Sequence, residues 1–278
     1  MRDARDAARA AGAVPDPPSR ARAAGTQTQR RGVALVTGAS SGIGTATAEA
    51  LARRGWRVVV HGRDEGAVEA VADAVGGVAV CADLAEPGAA ESLAEFALEV
   101  GGGRVDVLVN NAAFGWSGAF DAMAAETVER LLAVDLAAPI ALTRSLLPGM
   151  RERGTGRVVF ISSIAGRLGV GGEAVYSATK AGLDCFAESL RSELRGSGVG
   201  IGVVVPGVIA TPFFERRGDP YIRKWPRPLP ASTVADAVVL CVEGRKAEVY
   251  VPRWLRLPIA VRGVAPGAYR RLAQRFGG

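Results

Sequence analysis

From Val33 onward the chain repeats one pattern: a short, almost unbroken apolar run rich in β-branched residues, then a longer segment of helical length. The apolar runs fall at 33–37, 57–61, 78–82, 105–109, 157–162, 199–205 and 248–252. The segments between them fall at 42–54, 64–75, 88–101, 123–151, 176–196 and 231–243. A strand with one wet face alternates apolar with polar residues, so an unbroken run implies that both faces are covered. Parallel strands sandwiched between helices meet that condition. The alternation therefore predicts an α/β fold: right-handed βαβ units building a Rossmann-type, doubly wound parallel sheet of about seven strands in a single domain. With 278 residues, 49% of them apolar, the chain can bury one substantial core.

Charge narrows the function. The chain carries +6, but residues 1–31 hold seven Arg against three Asp, so the body keeps only +2. A nucleic-acid surface needs a stripe of cations on the folded domain, and no such excess is left for it. Residues 1–31 are rich in Ala and Arg, contain Pro15, Pro17 and Pro18 and lack apolar periodicity, which predicts a disordered leader. Its Asp3, Asp6 and Asp16 speak against a transit peptide. Cys81, Cys185 and Cys241 are odd in number and far apart, unlike a disulfide framework or a metal-ligand set, so no metal is expected. No run reaches the roughly 18 uninterrupted apolar residues that span a bilayer. The expectation is a cytoplasmic protein without an integral membrane segment.

The first strand runs straight into Thr37-Gly38-Ala39-Ser40-Ser41-Gly42-Ile43-Gly44, and a helical segment follows. Glycines there let the backbone turn tightly and approach a pyrophosphate, which then faces the amides at the helix N-terminus. The spacing Gly-xxx-Gly-x-Gly resembles the short-chain dehydrogenase/reductase family. Later segments carry the same resemblance in the same order: Asn110-Asn111-Ala112-Ala113, Ser162-Ser163, Tyr176-Ser177-Ala178-Thr179-Lys180 and Pro206-Gly207, so the match spans about 32–252. Ala113 stands where the family usually has glycine.

At the end of the second strand, Gly62 takes the position at which an NAD site offers a carboxylate to the adenosine ribose, and Arg63 follows it. An arginine can hold a 2′-phosphate through paired, charge-assisted bonds, so NADP(H) is preferred over NAD(H). Asp64 directly precedes a helical segment and reads as its N-cap. The resemblance implies that Asp83 and Leu84 meet the adenine, although Asp83 also suits a cap of the following loop. It implies further that Asn110 and Ala112 line the cofactor cleft with their backbone. Pro206, Gly207, Ile209 and Thr211 would lie over the nicotinamide carboxamide. Within the glycine-rich turn, Gly38, Ser40, Ser41, Gly42, Ile43 and Gly44 form the expected phosphate cradle.

Tyr176 and Lys180 are four apart, so both emerge on one helix face. A cation about 4 Å from a phenol, at an effective dielectric near 20, supplies roughly the 4 kcal/mol that bringing a tyrosine towards neutral pH requires. The resemblance implies that Tyr176 donates a proton to a substrate carbonyl, that Ser163 rather than Ser162 hydrogen-bonds the same oxygen, and that Lys180 also holds the nicotinamide ribose. The family's fourth member, an asparagine, is replaced within Val134-Asp135-Leu136. Asp135 could hold the same relay water, and its charge would alter the relay.

Residues 212–230 contain Phe213, Phe214, Tyr221, Trp225 and five cations, and by resemblance form a lid with an aromatic wall. The cations suit either a solvated loop or an acidic or phosphate-bearing substrate, such as an acyl thioester. The stretch 253–278 mixes apolar residues with Arg, and Pro258 and Pro266 predict that it docks on its own domain or a neighbouring subunit rather than forming a long helix. Helices 123–151 and 176–196 resemble those that pair subunits in the family, implying a homodimer or homotetramer. The expected activity is hydride transfer between NADP(H) and a small ketone or secondary alcohol. The alternatives are an NAD-preferring alcohol dehydrogenase and, from a different class, a nucleotide-binding regulator that has lost turnover.

Overall fold

The computed structural model describes residues 31–267 and 269–271. The expected leader, apart from Arg31, and the last seven residues lie outside them.

Seven parallel strands form one sheet in the order β3-β2-β1-β4-β5-β6-β9. They are β1 (Gly32–Val36), β2 (Trp56–Gly62), β3 (Val78–Cys81), β4 (Val107–Asn110), β5 (Gly156–Ile161), β6 (Val199–Pro206) and β9 (Glu248–Val251). Register runs without a slip across the middle, with Val36 opposite both Val60 and Val109, Asn110 opposite Phe160, and Ile161 opposite Val204. From β1 the chain winds one way through β2 and β3, then returns to place β4, β5, β6 and β9 on the other side. The β1/β4 boundary is thus the point at which the order reverses, and a crevice opens there beyond the carboxyl ends of the strands.

Burial explains the unbroken apolar runs. Leu35, Leu108, Val158 and Phe160 pack against α3 (Ala89–Val100), α5 (Ala138–Glu152) and α7 (Ala174–Glu193). Their neighbours Val36, Val109, Val159 and Val204 face α1 (Gly42–Ala52), α2 (Glu65–Val75) and α9 (Ala231–Val242). Each strand residue is covered whichever side it points to, so no polar alternation survives.

Four departures from the expected elements stand out. The segment read as one helix over 123–151 is α4 (Ala125–Leu132), a π-helical turn (Ala133–Ala137) and α5. Pro139 accounts for the break: it has no N–H for the carbonyl four residues back, that of Asp135, and its ring crowds that carbonyl. The continuous stretch Ala125–Glu152 is long and apolar enough to cross a membrane by length and composition alone. Leu131, Leu142, Leu146 and Met150 are instead buried in the fold. A short helix α6 (Ile164–Leu168) follows β5, and a two-strand pair, β7 (Ile209–Ala210) with β8 (Leu229–Pro230), ties the two ends of the expected lid together around α8 (Phe213–Arg216). Finally, α10 (Arg256–Val264) forms despite Pro258, which sits in its first turn where an N–H has no helical acceptor. Leu255 is buried and Arg262 donates to the Arg167 carbonyl, so this stretch docks on its own domain.

Gly44 fixes how closely α1 meets the turn before it. A Cβ there would lie 2.1 Å from the Gly38 carbonyl oxygen and 2.7 Å from Ala39 Cα, both backbone atoms. Gly44→Ala is therefore expected to lower stability by roughly 1–3 kcal/mol, read as a shift in the urea midpoint. An unchanged midpoint would show that the turn can move away at no cost.

Candidate active site

The glycine-rich turn is held down from three sides. Thr37 Oγ1 accepts from the amides of Asn111 and Ala112, both at 3.0 Å. Asn111 Nδ2 donates to the carbonyls of Thr37 and Gly38 at 2.9 and 3.0 Å. Gly38 and Gly42 have φ of 63° and 58°, the left-handed region that glycine enters without strain. Space forbids a side chain as well: a Cβ on Gly38 would stand 2.7 Å from Ala112 Cα. Ser41 is the N-cap of α1 but makes no side-chain cap bond, and the first turn carries no acidic residue. The first amides of α1 are thus left for an anion.

His61 completes the support and gave no signal in the sequence. It is buried in β2, with Nδ1 accepting from the Gly38 amide at 3.4 Å and Nε2 3.1 Å from the Ala82 carbonyl, which fits a neutral ring protonated on Nε2. Burial pushes its pKa down to about 4.

At the end of β2 the space an acid would need is taken. A Cβ on Gly62 would meet Val68 Cγ2 at 2.8 Å and Ser40 Cβ at 2.9 Å. Arg63 projects at the rim with its guanidinium 3.8 Å from Asp83 Oδ2. Asp64 caps α2, accepting from the Ala67 amide at 3.0 Å. Asp83 both turns the following loop, accepting from the Ala85 amide, and pairs with Arg130 from α4. These partners hold its carboxyl below the ordinary range, against an opposing push from burial.

Beyond the strand ends lies a cleft of about 1130 Å³. Gly38, Ser40, Ser41, Gly42, Ile43, Arg63, Asp83, Leu84 and Ala112 line it together with Ser163, Tyr176, Lys180, Pro206, Gly207, Ile209 and Thr211. Three expected residues are not on its wall. Gly44 lies beneath the turn, as the geometry above requires. Asn110 ends β4 with its side chain directed at Thr143 Oγ1, 3.4 Å away, and Asn111 takes its place on the wall. Asp135 sits behind the wall in the π-helical turn, wholly buried.

The three residues at the cleft floor come from two elements. Ser163 is the N-cap of α6, its Oγ accepting from the Ala165 amide at 3.1 Å. Tyr176 and Lys180 share one face of α7. A Cβ on Gly166 would fall 2.7 Å from the Lys180 carbonyl carbon, so this glycine lets α6 lie directly on α7. Lys180 is 2% exposed and its Nζ donates to the Ile161 carbonyl at 3.3 Å.

The Lys180 Nζ lies 5.6 Å from the centre of the Tyr176 ring. Burial, followed by the Asp135 charge, pushes the phenol well above the ordinary tyrosine range, against a hydrogen bond with Ser163 that lowers it. In this protein the phenol therefore stays protonated throughout the neutral range.

Asp135 Oδ1 accepts from the Phe114 amide at 2.7 Å, so it fixes the backbone just after β4. Its Oδ2 is buried without a protein partner. Burial raises the carboxyl to about 6, although the Lys180 charge and the Phe114 bond both lower it.

The segment expected to form the lid divides in two. Phe213 packs on Tyr176 with centroids 5.6 Å apart, and Phe213, Phe214 and Tyr221 continue as an aromatic series over the cleft. Trp225 does not join that wall: it is 71% exposed and stacks on Trp254 of the C-terminal stretch at 5.3 Å. Of the cations, Arg217 is half-buried and paired with Glu173 and Asp219, whereas Arg216 reaches Ser41.

A family model for short chain dehydrogenases matches residues 32–221. The chain belongs to the short-chain dehydrogenase family. It is an oxidoreductase of that family, similar to the ketoacyl reductase HetN of a Nostoc species, with 35% identity over 87% of this chain and 88% of the relative. The 3-oxoacyl-[acyl-carrier-protein] reductase FabG of Escherichia coli is 36% identical over 67% of this chain and 77% of its own. Among solved structures, a short-chain dehydrogenase from Sphingobium yanoikuyae in complex with NADPH superposes with a TM-score of 0.75 at 31% identity, covering 88% of this chain and 95% of that one. Actinorhodin polyketide ketoreductase with NADPH gives 0.74 at 32% identity, covering 81% and 97%.

Two buried groups make opposite contributions to stability across pH. An unfolded aspartate loses its proton near 3.8, whereas Asp135 keeps it to about 6, so the wild type loses stability between those values and does not recover it above. Asp135→Asn is expected to gain up to roughly 3 kcal/mol over the wild type across that window. An unfolded histidine takes its proton near 6.5 while His61 resists until about 4, so acid destabilises the fold over that interval. His61→Gln should flatten that loss. Urea unfolding at a series of pH values checks both, and a pH-independent difference between either variant and the wild type would contradict it.

Proposed function

We propose that the protein reversibly reduces a ketone to a secondary alcohol with NADPH, with Tyr176 as the proton donor. The observation that carries this reading is the convergence of Ser163 and Tyr176 on the same cleft as a glycine-rich turn at a helix N-terminus. The residues present suit a dinucleotide. The Gly38–Gly44 turn takes the pyrophosphate, Arg63 the 2′-phosphate, and Asp83 and Leu84 the adenine. Ala112 lines the middle of the groove, Lys180 holds the nicotinamide ribose, and Pro206, Gly207, Ile209 and Thr211 take the carboxamide. Gly62 leaves the ribose without a carboxylate, and a side chain there would crowd Ser40 and Val68, which supports NADP(H) over NAD(H). The relatives solved with NADPH support the same preference.

When bound, NADPH supplies the hydride to the carbonyl carbon. Ser163 holds the carbonyl oxygen, and Tyr176 gives that oxygen its proton. A phenol held above its ordinary range is fully loaded at neutral pH, and an oxygen gaining alkoxide character is the stronger base, so the transfer runs from tyrosine to substrate. Lys180, 5.6 Å from the ring centre, stabilises the phenolate that remains by roughly 3 kcal/mol at an effective dielectric of 20. Asp135, behind Lys180, positions the Phe114 backbone and takes part in the return of the proton.

The relatives named as ketoacyl reductases, together with the aromatic wall of Phe213, Phe214 and Tyr221, support a 3-oxoacyl thioester as the substrate class. Residues 32–252 constitute the catalytic unit, which pairs through the outer faces of α5 and α7 into a homodimer or homotetramer in the cytoplasm.

With a 3-oxoacyl thioester and NADPH, Tyr176→Phe is expected to lower kcat by roughly 10²–10⁴-fold while NADPH affinity changes little. Equal rates in variant and wild type would overturn the mechanism, and tight NADPH binding without turnover of any ketone would favour a nucleotide-binding regulator. Arg63→Leu is expected to weaken NADPH binding roughly tenfold or more and leave NADH binding unchanged, as measured by nicotinamide fluorescence. Parallel losses for both would remove Arg63 from the 2′-phosphate.

A further inference from the structure

Arg216 lies in the lid, yet its Nη1 donates to Ser41 Oγ in the glycine-rich turn at 2.9 Å, across 175 positions of sequence. Its neighbour Arg217 is committed to Glu173 and Asp219, whereas Arg216 forms no ion pair among the described residues. A guanidinium that has only a neutral hydroxyl for a partner, beside a helix N-terminus with uncapped amides and no acidic side chain, is poised for an anion. A second contact joins the lid to the same turn: a Cβ on Gly42 would meet Thr211 Cγ2 at 2.9 Å, so the root of the lid rests on the turn backbone.

The other side of α8 reaches the reacting end. Phe213 packs on Tyr176, Arg217 grips Glu173 just before α7, and a Cβ on Gly115 would strike the Phe213 ring at 2.7 Å. Four residues thus bridge the phosphate turn and the catalytic tyrosine. So short an element cannot shift at one side without moving the other.

We propose that Arg216 binds the pyrophosphate of a dinucleotide on the Gly38–Gly44 turn, and that this contact holds the lid down on Tyr176, so that the bound cofactor fixes the substrate enclosure. The proposal rests on the dinucleotide reading above. Exchange of the Ser41 hydroxyl for phosphate oxygens gives the guanidinium a charged, forked partner and fixes α8. Arg217 and Phe213 then hold the aromatic wall against the tyrosine. Arg63 recognises the adenosine end, while Arg216 reads the part common to NADPH and NADH.

The test uses the full-length wild type, Arg216→Gln and Arg216→Lys, with thermal unfolding to establish that all three fold equally. Dissociation constants for NADPH and NADH are measured by fluorescence, and lid ordering by trypsin cleavage after Arg223 and Lys224 with and without saturating NADP⁺. In the wild type, NADP⁺ should slow cleavage after Arg223 and Lys224 severalfold. Arg216→Gln should bind NADPH and NADH roughly tenfold more weakly, by the same factor for each, and its lid should be cut at the cofactor-free rate even at saturation. Arg216→Lys, which keeps the charge but loses the fork, should fall between. Wild-type affinity or wild-type protection in Arg216→Gln would overturn the proposal, and a loss confined to NADPH would overturn it by moving Arg216 to the 2′-phosphate. A wild type that binds neither dinucleotide overturns the underlying reading, and the proposal with it.

Discussion

The site depends on how closely the glycine-rich turn is pressed against the end of β4. Gly38 lies so near Ala112 that no side chain fits between them, and Asn111, Thr37 and His61 hold that approach with hydrogen bonds from two neighbouring strands. The bonds are possible because β1 sits between β2 and β4 in a sheet whose register does not slip. Hydrophobic burial on both faces sets that register, and the register brings a helix N-terminus to the mouth of the crevice. A phosphate site there needs no dedicated cation in the turn itself. On the proposed reading the cations come from elsewhere, Arg63 from just after β2 and Arg216 from α8.

The reacting end is governed by burial of polar groups. Ser163, Tyr176, Lys180 and Asp135 are all withdrawn from water, and withdrawal changes each group's preferred form. Asp135 shows the trade most clearly: the π-helical turn directs its carboxyl inward to the Phe114 amide, at the cost of a carboxylate that ionises only near neutral pH. An asparagine would make the same backbone bond without that cost. The aspartate thus adds a group able to give and take a proton behind Lys180, which an amide cannot do. The raised phenol and the raised carboxyl share burial as their first cause, and the Asp135 charge also raises Tyr176.

Sheet and cleft were largely legible in the sequence because their determinants are local. Unbroken Val, Ile and Leu runs can be satisfied only between two helical layers, and the Gly38–Gly44 spacing allows few backbone paths. The misreadings arose where tertiary contact decides. Pro139 carried the signal for the break near Asp135, but a proline in a helical segment does not say whether the chain kinks, ends or opens into a π turn. Adjacent Asn110 and Asn111 look alike in sequence, and strand pleat alone sends one to Thr143 and the other to the turn. His61 looked like one more strand residue. Trp225 looked like a pocket wall until its partner Trp254, from a stretch read separately, took it away.

The central claim is that a hydride passes from NADPH to a carbonyl carbon held at Ser163 and Tyr176. Incubation of the protein with a 3-oxoacyl thioester and NADPH deuterated at the transferring position, followed by mass spectrometry of the alcohol, tests it most directly. The account predicts one deuterium on the carbinol carbon, and none at that carbon when unlabelled NADPH is used in D₂O. An alcohol formed without the cofactor's label, or labelled at that carbon from solvent, would contradict it.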